Sequence, residues 1–114
     1  MYRDNYSYLQ SPDKRGYSRL IEEGEYIATL NFKVWGKRVS LGCYFETDDG
    51  KQFYLYAWRI QYGERKDDYC PRDCAINFRD VKPGTRWLIK TRRSSKGNVY
   101  WSTAEELLSG RECN

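Results

Sequence analysis

Apolar and polar residues alternate with the two-residue period of a half-buried strand in most of the chain between Tyr26 and Trp101. In Tyr26–Trp35, the residues Tyr26, Ala28, Leu30, Phe32 and Val34 share one face, and Ile27, Thr29, Asn31, Lys33 and Trp35 share the other. The first set makes the better core face. After a turn at Gly36-Lys37, Val39, Leu41, Cys43 and Phe45 point inward, with Ser40, Gly42 and Tyr44 outward. An outward glycine within a strand predicts a bend or a close approach. Asp48-Asp49-Gly50 is the clearest hairpin turn in the chain. Gln52–Ile60 is the third strand, with Phe53, Leu55 and Ala57 on one side and Tyr54, Tyr56 and Trp58 on the other. The second side is either a stacking platform or a face covered by another element.

Gly63, a run of charges and Pro71 end the alternation, so Gln61–Arg79 is expected to be a crossing segment with one helical turn over Asp73–Phe78. Val81-Lys82-Pro83-Gly84 turns the chain into a hairpin spanning Thr85–Ser102. Trp87, Ile89, Val99 and Trp101 form its buried side, and Ser94–Asn98 its loop. Ser102 and Glu105 have the spacing of a capping box, which predicts a short helix ending near Gly110.

The expected fold is mostly β: a small five-stranded antiparallel barrel with a short C-terminal helix. Residues 1–19 are read as a flexible Tyr-rich arm, 20–110 as one domain and 111–114 as a tail. A chain of 114 residues has room for only one such core. Three strands, a crossing segment and a two-stranded hairpin, over Glu25–Ser102, make an order that resembles the oligonucleotide/oligosaccharide-binding (OB) fold. An SH3-like barrel shares the strand count and stays open as the alternative. The OB resemblance implies a groove on the face of the second and third strands, bordered by hairpin loops. By position it implicates Tyr44, Tyr54, Tyr56, Trp58 and the loop Arg92–Lys96.

Charge sharpens that picture. Seven basic side chains between Arg79 and Lys96 meet one acidic one, whereas residues 1–78 carry twelve of each sign. The whole positive excess therefore sits around the last hairpin. Arg86, Lys90 and Arg92 alternate on one face, and Arg93 and Lys96 extend into the loop. Such a row can follow a sugar–phosphate backbone while rings stack on bases. The same charges would also discourage edge-to-edge sheet pairing. With 11 Tyr and 4 Trp in so small a domain, many rings must stay half-exposed.

The chain has no histidine, which removes the commonest proton shuttle and every His-dependent triad. The acidic pairs Glu22/Glu23, Asp48/Asp49 and Asp67/Asp68 lie in predicted turns, where they meet water, and no Gly-rich phosphate loop or nucleophile elbow is present. Neither catalysis nor a cofactor is expected. Cys70 and Cys74 are separated by three residues, a poor match to redox and zinc motifs. All four cysteines, with Cys43 and Cys113, are read as free thiols, Cys74 buried and Cys70 half-exposed. No apolar run approaches the ~20 residues of a membrane span, and the N-terminal stretch lacks a secretory signal. A cytoplasmic protein without membrane partners is expected. Two functions follow: binding of single-stranded nucleic acid, or a protein-interaction or inhibitory module such as a mobile genetic element might carry.

Overall fold

A computed structural model describes residues 13–36 and 39–107. Its strands are β1 (Ser18–Arg19), β2 (Gly24–Trp35), β3 (Ser40–Thr47), β4 (Gln52–Arg59), β5 (Tyr69–Cys70), β6 (Arg86–Arg93) and β7 (Val99–Leu107). They form one sheet in the order β1-β4-β3-β2-β6-β7, with β5 also on β4. The long neighbours pair antiparallel, whereas β1 adds to β4 in parallel. The sheet curls until β7 runs beside β4, but no ladder joins the two. It is an open, curled sheet and not a closed five-stranded barrel.

The expected alternation holds in β4 and β6, and in β3 the inward set is as expected but Ser40, Gly42 and Tyr44 of the outward set are buried too. Leu41, Cys43, Phe45, Phe53, Leu55, Ala57, Trp87 and Ile89 are all buried inside the curl. In β2 it holds only through Leu30. A register shift between Leu30 and Phe32 places Asn31 in a bulge. One extra residue exchanges the faces of everything beyond it. Phe32 and Val34, expected in the core, therefore join the outer face, and Lys33 turns inward. Its ammonium donates to the carbonyls of Phe78 (2.9 Å) and Arg79 (2.7 Å).

Those carbonyls belong to a single 3₁₀ turn, Phe78–Asp80, which begins where the expected helical turn over Asp73–Phe78 should have ended. Asn77 starts it, its side-chain oxygen accepting from the amides of Arg79 and Tyr69. The turn drives Phe78 into the centre of the curl against Trp87 and Trp101, with ring centroids at 4.8 and 4.6 Å. The crossing segment thus supplies the plug that a small curled sheet needs.

The expected C-terminal helix is not formed over the described residues: Ser102–Leu107 continue β7. A second bulge, opposite Lys90 and Thr91, takes up Ser102 and lets Ala104 pair with Ile89 and bury itself. An isolated helix this short is marginal, so cross-strand pairing with burial prevails over a capping-box pattern. Residues 108–110 of that expected helix, the tail 111–114 and the first twelve residues of the arm lie outside the described residues. The arm boundary also moves. Ser18 and Arg19, assigned to the flexible arm, are part of the sheet, opposite Phe53 and Tyr54.

Cys43, Cys70 and Cys74 are free thiols. Their burial reverses the expectation for the last pair: Cys70 is buried and Cys74 half-buried. Cys113 lies outside the described residues. Among the described residues no helix is long and apolar enough to cross a membrane.

Candidate nucleic-acid interface

The outer face of β2, β3 and β4 carries a continuous row of rings. Phe32 stacks on Tyr44 at 4.7 Å, Tyr44 meets Tyr54 at 5.1 Å, and Tyr54 meets Tyr56 at 5.6 Å. Tyr56 then meets Trp58 at 5.9 Å. Cross-strand register sets this order, because Tyr44 pairs with Tyr54 and Gly42 with Tyr56. The missing side chain at Gly42 makes room for the rings: a Cβ there would stand 3.2 Å from the Tyr44 ring and 3.6 Å from that of Tyr56. The close approach expected at Gly42 is thus an approach of rings.

The row is graded in exposure. Tyr17 packs edge-on over Phe32 (5.3 Å) and Tyr44 (5.4 Å), and the Asn31 amide donates to its hydroxyl at 2.7 Å. Tyr44 is consequently buried, and burial, reinforced by the neighbouring Tyr56 and Tyr54 hydroxyls, raises its pKa. Tyr54 and Tyr56 are half-buried, and Trp58 is 49 % exposed. The stripe is therefore closed at the Tyr17 end and open at the Trp58 end. No helix covers it.

The open end meets the last hairpin. Trp58 and Tyr56 share a recess with Val99 and Tyr100, and Trp58 also borders a larger cavity with Ser94 and Asn98 of the hairpin loop. The Trp101 indole bridges the two walls, donating 2.7 Å to the Tyr56 carbonyl. That carbonyl lies in the stretch of β4, Leu55–Ala57, left between the short ladders to β1 and β5.

The five cations proposed from sequence divide into three groups. Arg92 and Lys96 are exposed, without ion-pair partners among the described residues, and Arg92 sits directly opposite Tyr100. Tyr100, with Ser94 and Asn98 on either side of Lys96 in the chain, lines the cavity next to Trp58, and neither Arg92 nor Lys96 is part of that lining. Arg93 is spent on the backbone: its guanidinium donates to the carbonyls of Gly97 (2.9 Å) and Ile21 (3.0 Å). Arg86 and Lys90 point elsewhere. Arg86 pairs with Asp48 at 3.1 Å and Lys90 approaches Glu25 at 3.9 Å across β2. Arg86 also begins β6 and Arg92 nearly ends it, roughly 20 Å apart at the rise of a strand.

Four residues escaped the sequence reading. Tyr100 was findable, since it occupies an outward position between Val99 and Trp101. Arg19, Arg59 and Arg72 line the cavity beside Trp58, but no local pattern links three arginines from β1, β4 and the turn after β5. Only the fold brings them together. Among the described residues no cluster of His, Cys, Asp and Glu side chains is arranged to hold a metal ion. Comparison of the chain with protein-family models, with curated protein sequences and with solved structures finds no match.

Proposed function

We propose that this protein is a non-catalytic module that binds single-stranded nucleic acid along the ring stripe of β3 and β4. The strand would run from Tyr54 past Tyr56 and Trp58 to the hairpin loop, where Arg92 and Lys96 meet its phosphates. The observation that carries this reading is a row of rings that ends, at Trp58, in a cavity shared with the hairpin loop, whose neighbouring Arg92 and Lys96 have no ion-pair partner among the described residues. Every base offers a π-face, so such a platform needs no particular sequence. Phosphates supply the salt-dependent part of the affinity. The order of the five long strands, β4-β3-β2-β6-β7, with β4 and β7 facing each other across a seam, adds support. It is compatible with the partly open barrel of the OB fold, which binds ligands on the corresponding face.

The test is titration of a fluorescent thymidine oligonucleotide at several salt concentrations. Binding that weakens with salt, and weakens further in Tyr54→Ala and Trp58→Ala, is the expected result. No binding at low salt, or binding indifferent to both substitutions, would overturn the proposal.

A further inference from the structure

Where β4 and β7 fail to pair, the seam opens into a cavity of about 520 Å³, within the range of small-ligand sites. Its composition is one-sided. Arg19, Arg59 and Arg72 line it, and among the described residues no carboxylate does. Asp67 reaches Arg59 from outside the lining, with Nε to Oδ1 at 3.1 Å. That contact is an ion pair out of line for a hydrogen bond, since Nε remains without a hydrogen-bond partner. Arg19 and Arg72 have no ion-pair partner among the described residues. A concave site with uncompensated cations concentrates anions.

The same walls carry flat surfaces. Trp58 is half-exposed at the mouth, and the Arg72 guanidinium lies over the Tyr100 ring at 4.4 Å. A guanidinium held over a ring keeps donors available and can itself stack with a base. Asn98, exposed at the hairpin tip, adds an amide able to donate to and accept from a base edge. A bare anion would use the arginines but leave the rings idle. A neutral sugar would call for carboxylates to accept from its hydroxyls, and the walls have none among the described residues.

We infer that this cavity holds one unpaired nucleotide of the bound strand, its base against Trp58 and the Arg72–Tyr100 pair and its phosphate between Arg19 and Arg59. The assignment rests on the nucleic-acid reading above. It adds a discrete pocket at the end of a sequence-tolerant platform, and so a position where one base is held apart from its neighbours.

The experiment uses the full chain and adenosine and uridine monophosphates, with inorganic phosphate as the anion control. Saturable nucleotide binding, at least several-fold tighter than phosphate, is expected, together with displacement of the terminal contact of a labelled thymidine oligonucleotide. Trp58→Ala and Arg72→Ala should each weaken nucleotide binding about 10-fold. Trp58→Phe should restore most of the loss at that position, and Lys90→Ala, at a residue that approaches Glu25 on β2 and is not part of the cavity lining, should change nothing. All three side chains are at the surface, and circular dichroism checks that each variant folds. Nucleotide binding equal to that of phosphate, or unaffected by Trp58→Ala and Arg72→Ala, would overturn the assignment. The two readings fail separately. Oligonucleotide binding that ignores Trp58 and Arg72 overturns the pocket and leaves Tyr54 and Tyr56 as the platform. Oligonucleotide binding no tighter than mononucleotide binding overturns the platform and upholds the pocket.

Discussion

The indole of Trp101 on β7 donates a 2.7 Å hydrogen bond to the main-chain carbonyl of Tyr56 on β4, across a seam that no strand ladder closes. Trp101 is 1 % exposed and packs edge-on against Phe45 at 5.7 Å. One side chain therefore fills the core and ties the two walls of the groove. Trp101→Phe keeps most of the packing but strands the Tyr56 carbonyl. It should cost about 1 kcal/mol in urea unfolding, the worth of one part-buried hydrogen bond. Trp101→Ala should cost about 3–5 kcal/mol. Equal losses for the two variants would mean that the hydrogen bond contributes nothing beyond the ring.

The cations of the last hairpin should separate by role. Replacing Arg92 and Lys96 together by Ala should leave stability unchanged and reduce the salt slope of oligonucleotide binding by roughly 1.4, about 0.7 for each single-strand phosphate contact. Arg86→Ala with Lys90→Ala should leave that slope alone, because both cations face acidic partners on another part of the sheet. Arg93→Met should behave differently again. It removes donors to Gly97 and Ile21, and at this exposed position should lower stability by about 1 kcal/mol. A slope that responds equally to all five would argue for a diffuse basic surface.

These contrasts mark how far the sequence could be read. Alternation located β3, β4 and β6 and sorted their faces, because in each the pattern runs unbroken between two turns. It misplaced Phe32 and Lys33, since a bulge leaves no mark in a stretch that alternates anyway; the register with β3 decides it. The capping spacing of Ser102 and Glu105 predicts a helix ending near Gly110, but the inward placement of Ala104 depends on pairing with Ile89. The ring row was legible as a face, and its partners were not. Arg19, Arg59 and Arg72 come from three separate elements, so their meeting is a property of the fold alone.

Tyr17 tests how firmly the N-terminal segment belongs to the body. Its ring covers Phe32 and Tyr44, and its hydroxyl accepts from Asn31. Tyr17→Ala should lower stability by about 1–2 kcal/mol, from two lost edge-on contacts and one hydrogen bond. Tyr17→Phe should lose about 1 kcal/mol or less. A Tyr17→Ala variant as stable as the parent in urea would show that this ring rests on the stripe without holding it.

Alkaline pH should unfold the domain, and Cys43 should set much of the slope. Burial pushes the Cys43 thiol up to about 12 from an ordinary value of 9.0, with Lys33 opposing. The folded state then keeps a proton that the unfolded chain releases above pH 9. This contribution is intact below pH 9 and is lost as pH rises toward 12, at a limiting rate of about 1.4 kcal/mol per pH unit. Tyr44 and Tyr26, raised chiefly by burial, add losses of the same sign above pH 10. Lys33 works in the opposite direction. Burial lowers its pKa, so between that lowered value and 10.5 the unfolded chain binds more protons and stability recovers with pH. The thiol shift should prevail at high pH because it extends to about 12, past the 10.5 at which the Lys33 effect ends. Urea midpoints measured from pH 8 to 11 should fall steeply for the parent and less steeply for Cys43→Ala, whatever the variant's stability at pH 8. Parallel curves would show that the thiol does not carry the alkaline transition.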